Sequence, residues 1–385
     1  MKRNKLVILF MLLLTIVIFS EENKKELDLK KSNNIIKKIK RYYGTDDVST
    51  SRTFFFPYYA SETGLTFGNF YYNTNLFNKG GFITNVIMYS PSTDIGVDWM
   101  ELKDIPVFGK YKIGGDLFWA SFDEIRLYDR GNDSSKNAFT LENMAGYDNG
   151  HGKYTNLNLN LKKELNDYDY YKYLFNYSEL GMDSKILQRR IKLKTDKIGF
   201  EIGRDKTFNR DRAMTGEKIA FIFEKSLNLI SNDSSNDRDY YKLKFDARKY
   251  IPVGEKKTLA IRFLTMHMDY LKEPDKNMRD FDFATLGDLG LFRGYYFMRY
   301  KDYNSAVWQM EYRFPINKKN NIRGSFFTEF GRVSGKYDAQ MFYKDLKLDG
   351  GFGLHYYFND LVMVRADLAI CNEQTQLRIS TSQAF

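Results

Sequence analysis

The chain has 385 residues, of which 17% are aromatic, including 29 Tyr and 32 Phe; it has only 6 Pro, a single Cys and a formal charge of +10. Past an N-terminal apolar run no long apolar segment follows, and mean hydropathy is −0.52. That excludes a helical membrane protein but not a β-barrel, whose strands hide only alternate residues from water. Basic residues interleave with acidic ones instead of clustering, so the charge describes wet faces and loops and not a nucleic-acid binder.

Residues 1–20 read as a secretory signal peptide: Lys2, Arg3 and Lys5 precede an apolar stretch from Leu6 to Phe19, and Ser20 stands before Glu21 and Glu22. The stretch is shorter than the roughly 20 residues of a spanning helix. The lone Cys371 rules out an internal disulfide, so an exported chain must draw its stability from the fold itself. Residues 21–50 are Lys-rich and polar, with one weakly amphipathic run, and are expected to form a short polar periplasmic tail. Residues 51–385 are expected to form one β-barrel domain.

From about Thr63 onward, alternating runs separated by polar turns continue along the chain. "TNLNLNLKK" sets Leu157, Leu159 and Leu161 against Asn156, Asn158, Asn160 and Lys162. "YYKLKFDARKY" sets Tyr241, Leu243, Phe245 and Ala247 against Lys242, Lys244, Asp246 and Arg248. "NSAVWQMEYRFP" sets Trp308, Met310, Tyr312 and Phe314 against Gln309, Glu311 and Arg313. Several charges on one face of a strand would ruin a dry core, so the polar face is assigned to a lumen and the aromatic face to lipid. Tight turns alternate with long polar connections in the C-terminal third, as in an outer-membrane barrel. The tally is about 16 antiparallel strands. Before residue 235 the alternation is harder to follow, because "RLYDRGNDSSKNAFTLENMAGYDNGHGKYT" is long where a turn is due. Thr63–Asn73 is expected to pair with the segment "QLRISTSQAF" to close the barrel, with Leu377, Ile379 and Phe385 in phase on the lipid face. An aromatic at that point resembles the C-terminal assembly signal of outer-membrane barrels, a role that falls to Phe385.

The segment "GLFRGYYFMRY" lies in a long connection, ahead of "MEYRFP", "FFTEFGRV" and "GGFGLHYYFNDLVMVRADLA". This order resembles the BamA/TamA superfamily of outer-membrane assembly and translocation barrels, also described as the bacterial surface antigen family. The likeness extends over about the last hundred residues, and its parts share strand parity. In that family a loop bearing an aliphatic-Arg-Gly-aromatic motif folds back inside the barrel. Phe292, Arg293, Gly294 and Tyr295 stand in its place, with Phe where Val is usual. The resemblance implies a loop lock of Arg293, Gly294, Tyr295, Glu311, Glu329 and Gly331, with Glu329 where the family carries Asp. A guanidinium between two carboxylates of adjacent strands is also what charge alone would demand.

The resemblance implies insertion or translocation of polypeptides at the bacterial outer membrane. The partners are then outer-membrane lipid, nascent outer-membrane or secreted chains, and a separately encoded periplasmic protein, because the POTRA domains usual in the family are not recognisable here. The alternative is a passive pore or structural surface barrel without client handling. No enzyme is expected, since G-x-S-x-G and H-E-x-x-H motifs are missing and His is only 3. No metal or other cofactor is expected either.

Overall fold

Alternation becomes register when each run finds a neighbour of the same period, and here it does so along nearly the whole chain. The computed structural model describes residues 51–60, 64–76, 81–122, 131–132, 151–184, 189–207, 214–227, 229, 239–272, 283–287, 290–317, 321–357, 363–380 and 383–385. The expected signal peptide and polar tail lie outside the described residues.

The first half contributes β1 (Ser51–Ala60), β2 (Gly64–Leu76), β3 (Gly81–Ser90), β4 (Ile95–Phe108), β5 (Tyr111–Phe122), β6 (Gly152–Glu164), β7 (Asp169–Ser184), β8 (Arg189–Asp205) and β9 (Gly216–Ser226). The second half contributes β10 (Asp239–Gly254), β11 (Lys257–Lys272), β14 (Asn304–Pro315), β15 (Ile322–Ser334), β16 (Lys347–Tyr357), β17 (Met363–Cys371) and β18 (Thr375–Ser380). Two short strands, β12 (Ala284–Leu286) and β13 (Tyr300–Asp302), pair with each other inside the connection between β11 and β14. The other 16 strands form one antiparallel sheet in chain order, with β11 passing directly to β14. Its end strands β1 and β18 come to lie against each other, giving the transmembrane barrel expected from the sequence.

Strand order settles the parity that the sequence left open. Residues 123–151 connect β5 to β6 and leave the barrel at the same end as the connections after β9, β11 and β15. Three of these connections touch there. The Gly131 N–H donates to the Lys301 carbonyl at 2.9 Å. Asn132 Nδ2 donates to the Asp345 carbonyl at 2.8 Å, and the Val333 N–H donates to Asn132 Oδ1 at 3.3 Å.

One expectation fails. Thr63–Asn73 does not close the barrel, because β1 precedes it and pairs with β2 in full register, placing Pro57 beside Phe67 and Tyr72 beside Arg52. Consecutive aromatics at 54–56 and 58–59 conceal the period of two in this strand, and Pro57 argues against a strand on local grounds. Pro is nevertheless tolerated at a sheet edge, which is where β1 lies.

The faces follow the sequence pattern. On β14, Ser305, Val307, Gln309, Glu311 and Arg313 point inward and are buried, while Met310 is exposed on the outer wall. Trp308 stacks on Phe330 of β15 there, with centroids 5.5 Å apart and planes within 7°. Ile198, Phe200 and Ile202 on β8, Phe221 on β9, and Phe352 and Leu354 on β16 extend this apolar exterior. Between its two end strands this antiparallel wall pairs the backbone of every strand on both sides, as crossing a bilayer with strands requires.

Candidate functional site: an arginine held inside the barrel

The connection between β11 and β14 turns back into the barrel because its apolar residues find a cluster of their own. Leu286, Phe292, Tyr295 and Tyr300 pack with Leu264, Val307 and Val333 from the inner wall, all buried. Phe292 is driven into this cluster with φ at 57°, in the left-handed region that a bulky side chain rarely adopts. Such a conformation costs about 1–3 kcal/mol and persists only when its surroundings over-determine it.

The next residue shows what holds it. Arg293 is fully buried, as are Glu311 of β14 and Glu329 of β15. Arg293 Nε donates to Glu329 Oε1 at 3.0 Å, and its backbone N–H donates to the other oxygen of the same carboxylate at 2.8 Å. Arg293 Nη1 donates to Glu311 Oε2 at 3.0 Å and to Asp367 Oδ2, from β17, at 3.3 Å. The flat guanidinium lies over Phe327, with Cζ 3.4 Å from the ring centroid. Burial alone would disfavour the charged form. The carboxylates of Glu329, Glu311, Asp367 and Asp349 outweigh it and hold the Arg293 pKa above its ordinary value.

Gly294 and Gly331 allow the close approach. The Gly294 N–H donates to Asp349 Oδ2 at 2.6 Å, and a Cβ there would meet the Asp349 Cβ at 3.0 Å and the Cys371 Cβ at 3.3 Å. A Cβ on Gly331 would strike the Ala306 carbonyl across the ladder and crowd the Phe292 ring at 3.1 Å. Tyr295 completes the grip, its hydroxyl donating to the Leu348 carbonyl at 3.1 Å and to Asn372 Oδ1 at 2.9 Å.

The structure therefore brings six of the residues singled out from the sequence into one place: Arg293, Gly294, Tyr295, Glu311, Glu329 and Gly331. The expectation of a wet lumen fails at this height, since the ion pairs between Arg293 and Glu311 and between Arg293 and Glu329 have no exposed side-chain surface. The loop and its aromatic cluster cover the ion pairs from above.

The sequence reading missed the loop's attachment to the last hairpin. Arg378 of β18 donates through Nε to the Arg293 carbonyl at 2.7 Å and through Nη2 to the Tyr295 carbonyl. In the turn between β17 and β18, Glu373 accepts from Arg299 Nε at 2.7 Å and from the Tyr300 hydroxyl at 2.6 Å. The available signal was parity, which puts Arg378 and Asp367 on the same inward face.

Phe385 is also placed differently from expectation. It does not continue the lipid-facing row of Leu377 and Ile379, because β18 ends at Ser380. Phe385 is buried against Tyr250 and Ala260, whose side chains face the interior. Arg313 Nη2 donates to its carbonyl at 3.0 Å, and the Arg313 guanidinium lies 5.4 Å from its ring. A buried arginine in need of an acceptor explains the inward turn. Among the described residues no group of three or more His, Cys, Asp or Glu is placed to hold a metal ion.

A 16-stranded antiparallel barrel with a connection drawn inside and fixed to its wall by a buried arginine defines the class. The Omp85 superfamily domain matches residues 106–385, and the chain belongs to that superfamily. Among solved structures it is similar to BamA from Haemophilus ducreyi lacking POTRA domains 1–3, with 13% identity and a TM-score of 0.57 over 87% of this chain and 70% of that one. It is likewise similar to CdiB from Acinetobacter baumannii, with 12% identity and a TM-score of 0.53 over 87% of this chain and 60% of that one. CdiB from Escherichia coli gives 10% identity and a TM-score of 0.56 over 88% of this chain. The chain thus spans 60% and 63% of the length of the two CdiB proteins. No curated protein matches it.

Proposed function

We propose that this chain is a bacterial outer-membrane barrel that inserts or translocates other polypeptides, with the Arg293 loop as its internal lock and the junction of β1 and β18 as its seam. Membership of the Omp85 superfamily supports the general class of insertion and translocation barrels. The observation that carries the finer reading is the position of the lock. Arg293 joins β14, β15 and β17 through their carboxylates, and Arg378 joins the same loop to the closing strand. A loop held by the strands beside the seam can sense or limit seam opening, which a passive tube does not require. No catalytic step belongs to this reading; the barrel acts by offering a path and a strand edge to its client.

The clients are nascent outer-membrane or secreted chains, handed over by a separately encoded periplasmic partner. Residues 1–20 serve as the export signal, residues 21–50 as a polar tail and Phe385 as part of the assembly signal. Crosslinking in the native membrane, followed by identification of the attached chains, tests the proposal. Recovery of nascent barrels or exported chains is the expected result. An empty barrel with steady conductance in planar bilayers would instead establish the passive pore.

A further inference from the structure

Several cations at the short-turn end of the barrel are matched by carboxylates of the chain itself. On the inner face Lys112 and Lys162 share Glu164, at 2.7 and 3.6 Å, and Lys172 reaches Glu201 at 3.0 Å. On the outer face Arg204 meets Asp169 at 2.6 Å and Lys249 meets Glu217 at 2.7 Å. Lys163 breaks the pattern. Among the described residues it faces two tyrosines and no carboxylate, with Nζ 5.1 Å from the Tyr111 ring centroid and 5.7 Å from that of Tyr171.

Register fixes the face. Lys163 of β6 lies between Tyr111 of β5 and Tyr171 of β7, and the same row continues to Ile202 and Phe221 on the outer wall. All three residues are half-buried and none is sealed from the surface. Strand ends fix the depth. β5 starts at Tyr111, β6 ends at Glu164 and β7 starts at Asp169, so the triplet borders the short turns, opposite the long connections. In an outer-membrane barrel that end is the periplasmic one, where the headgroups belong to the inner leaflet.

The two rings are themselves held in place, Tyr111 by Phe108 at a centroid distance of 4.8 Å and Tyr171 by Tyr173 at 5.4 Å. Their hydroxyls lie 3.3 Å apart, and a bond between them uses one proton and leaves the other for an outside acceptor. Asp169, two residues from Tyr171 on the same face, is occupied by two Arg204 nitrogens and by Asn166. An ammonium and a hydroxyl proton therefore remain for an anion from outside the chain. Towards the middle of the wall Tyr173 and Ile202 are exposed, so that anion would have water on one side and hydrocarbon on the other.

We propose that Lys163, Tyr111 and Tyr171 form a site for the phosphate of an inner-leaflet phospholipid, whose acyl chains run over Tyr173 and Ile202. Lysine supplies a point charge for phosphate, and tyrosine fits the headgroup level with an apolar ring and a wet hydroxyl. The inference rests on the membrane-spanning reading and is independent of what the barrel transports.

The test uses the purified full chain in non-ionic detergent, given limiting phosphatidylglycerol and weighed intact by native mass spectrometry. One retained phospholipid per chain is the expected result. Lys163→Gln combined with Tyr171→Phe should cut retention about tenfold, the effect of losing one charge-assisted contact and one hydroxyl. Lys163→Arg, which keeps the cation over the rings, should retain most of it. Lys153→Gln, on the same face at the other end of β6, should change nothing. Diacylglycerol, with the same tails and no phosphate, should not compete, nor should inorganic phosphate at the same concentration. All variants should keep a heat-modifiable band, and Tyr171→Phe alone supplies an independent variant should the double one fold poorly. Retention indifferent to the Lys163 and Tyr171 variants, equal competition by diacylglycerol, or displacement by inorganic phosphate would each overturn the proposal. Loss of heat modifiability in the unsubstituted chain would overturn the membrane reading itself.

Discussion

The Arg293 guanidinium bridges Glu311, Glu329 and Asp367, so removing it leaves Glu329 with Gln309 as a neutral donor, while Glu311 keeps Arg313 at 2.7 Å and Asp367 keeps Arg365 at 2.8 Å. Breaking a buried pair from one side costs about 3–5 kcal/mol, and here the penalty falls chiefly on Glu329, because Arg313 and Arg365 still face the other two carboxylates. Arg293→Ala should therefore release the loop while leaving the ladders and outer wall in place. Protease added from the cell surface should then cut between Tyr295 and Tyr303, where the native chain resists. Glu329→Lys should behave alike, because both Glu329 oxygens hold Arg293. Arg293→Lys should rescue little, since an ammonium offers neither the fork nor the flat face over Phe327. Resistance retained in all three variants would mean that the loop is held elsewhere. Gly294→Ala should be milder, about 1–3 kcal/mol by crowding of Asp349 and Cys371, read as a lower denaturant midpoint for loop release. Only part of this environment could be read in the sequence. Glu311 and Glu329 occupy inward positions on strands adjacent in sequence, whereas Asp349, Asp367 and Arg378 share that parity without any local sign of their height in the barrel.

Strands and turns were more legible than side-chain neighbours, because a period of two survives wherever one face meets lipid and the other does not. Leu157 against Asn158, and Phe245 against Asp246, need only local alternation to be assigned. β1 was hidden because its aromatics run together and its Pro57 counts against a strand until the edge position is known. That placement gives a direct check: in a Cys371→Ser background, Cys substitutions at Phe67 and Tyr89 should crosslink readily, as these residues are register partners. A pair at Phe67 and Ser380 should not, because β1 lies between. Efficient crosslinking of the second pair would displace β1 from the sheet. Arg378 ties the closing strand to the loop, so Arg378→Met should raise amide hydrogen exchange in both residues 375–380 and residues 293–295. Exchange confined to one of these segments would show that they move independently.

Across the whole molecule, neighbouring strands share very unequal lengths of ladder. β8 has 17 residues and β7 has 16, whereas β18 has 6. This inequality gives the barrel a mechanical direction. Drawn out of a membrane by its C-terminal end, the chain should surrender β18 first, in one step with the Arg378 bonds to the loop. A second peak should follow as Glu373 leaves the loop, and the long hairpins should resist most. Drawn from the other end, the same molecule should yield in a different sequence, with the loop-linked strands among the last to come free. Force curves that do not depend on the end pulled would show that the barrel resists as one body.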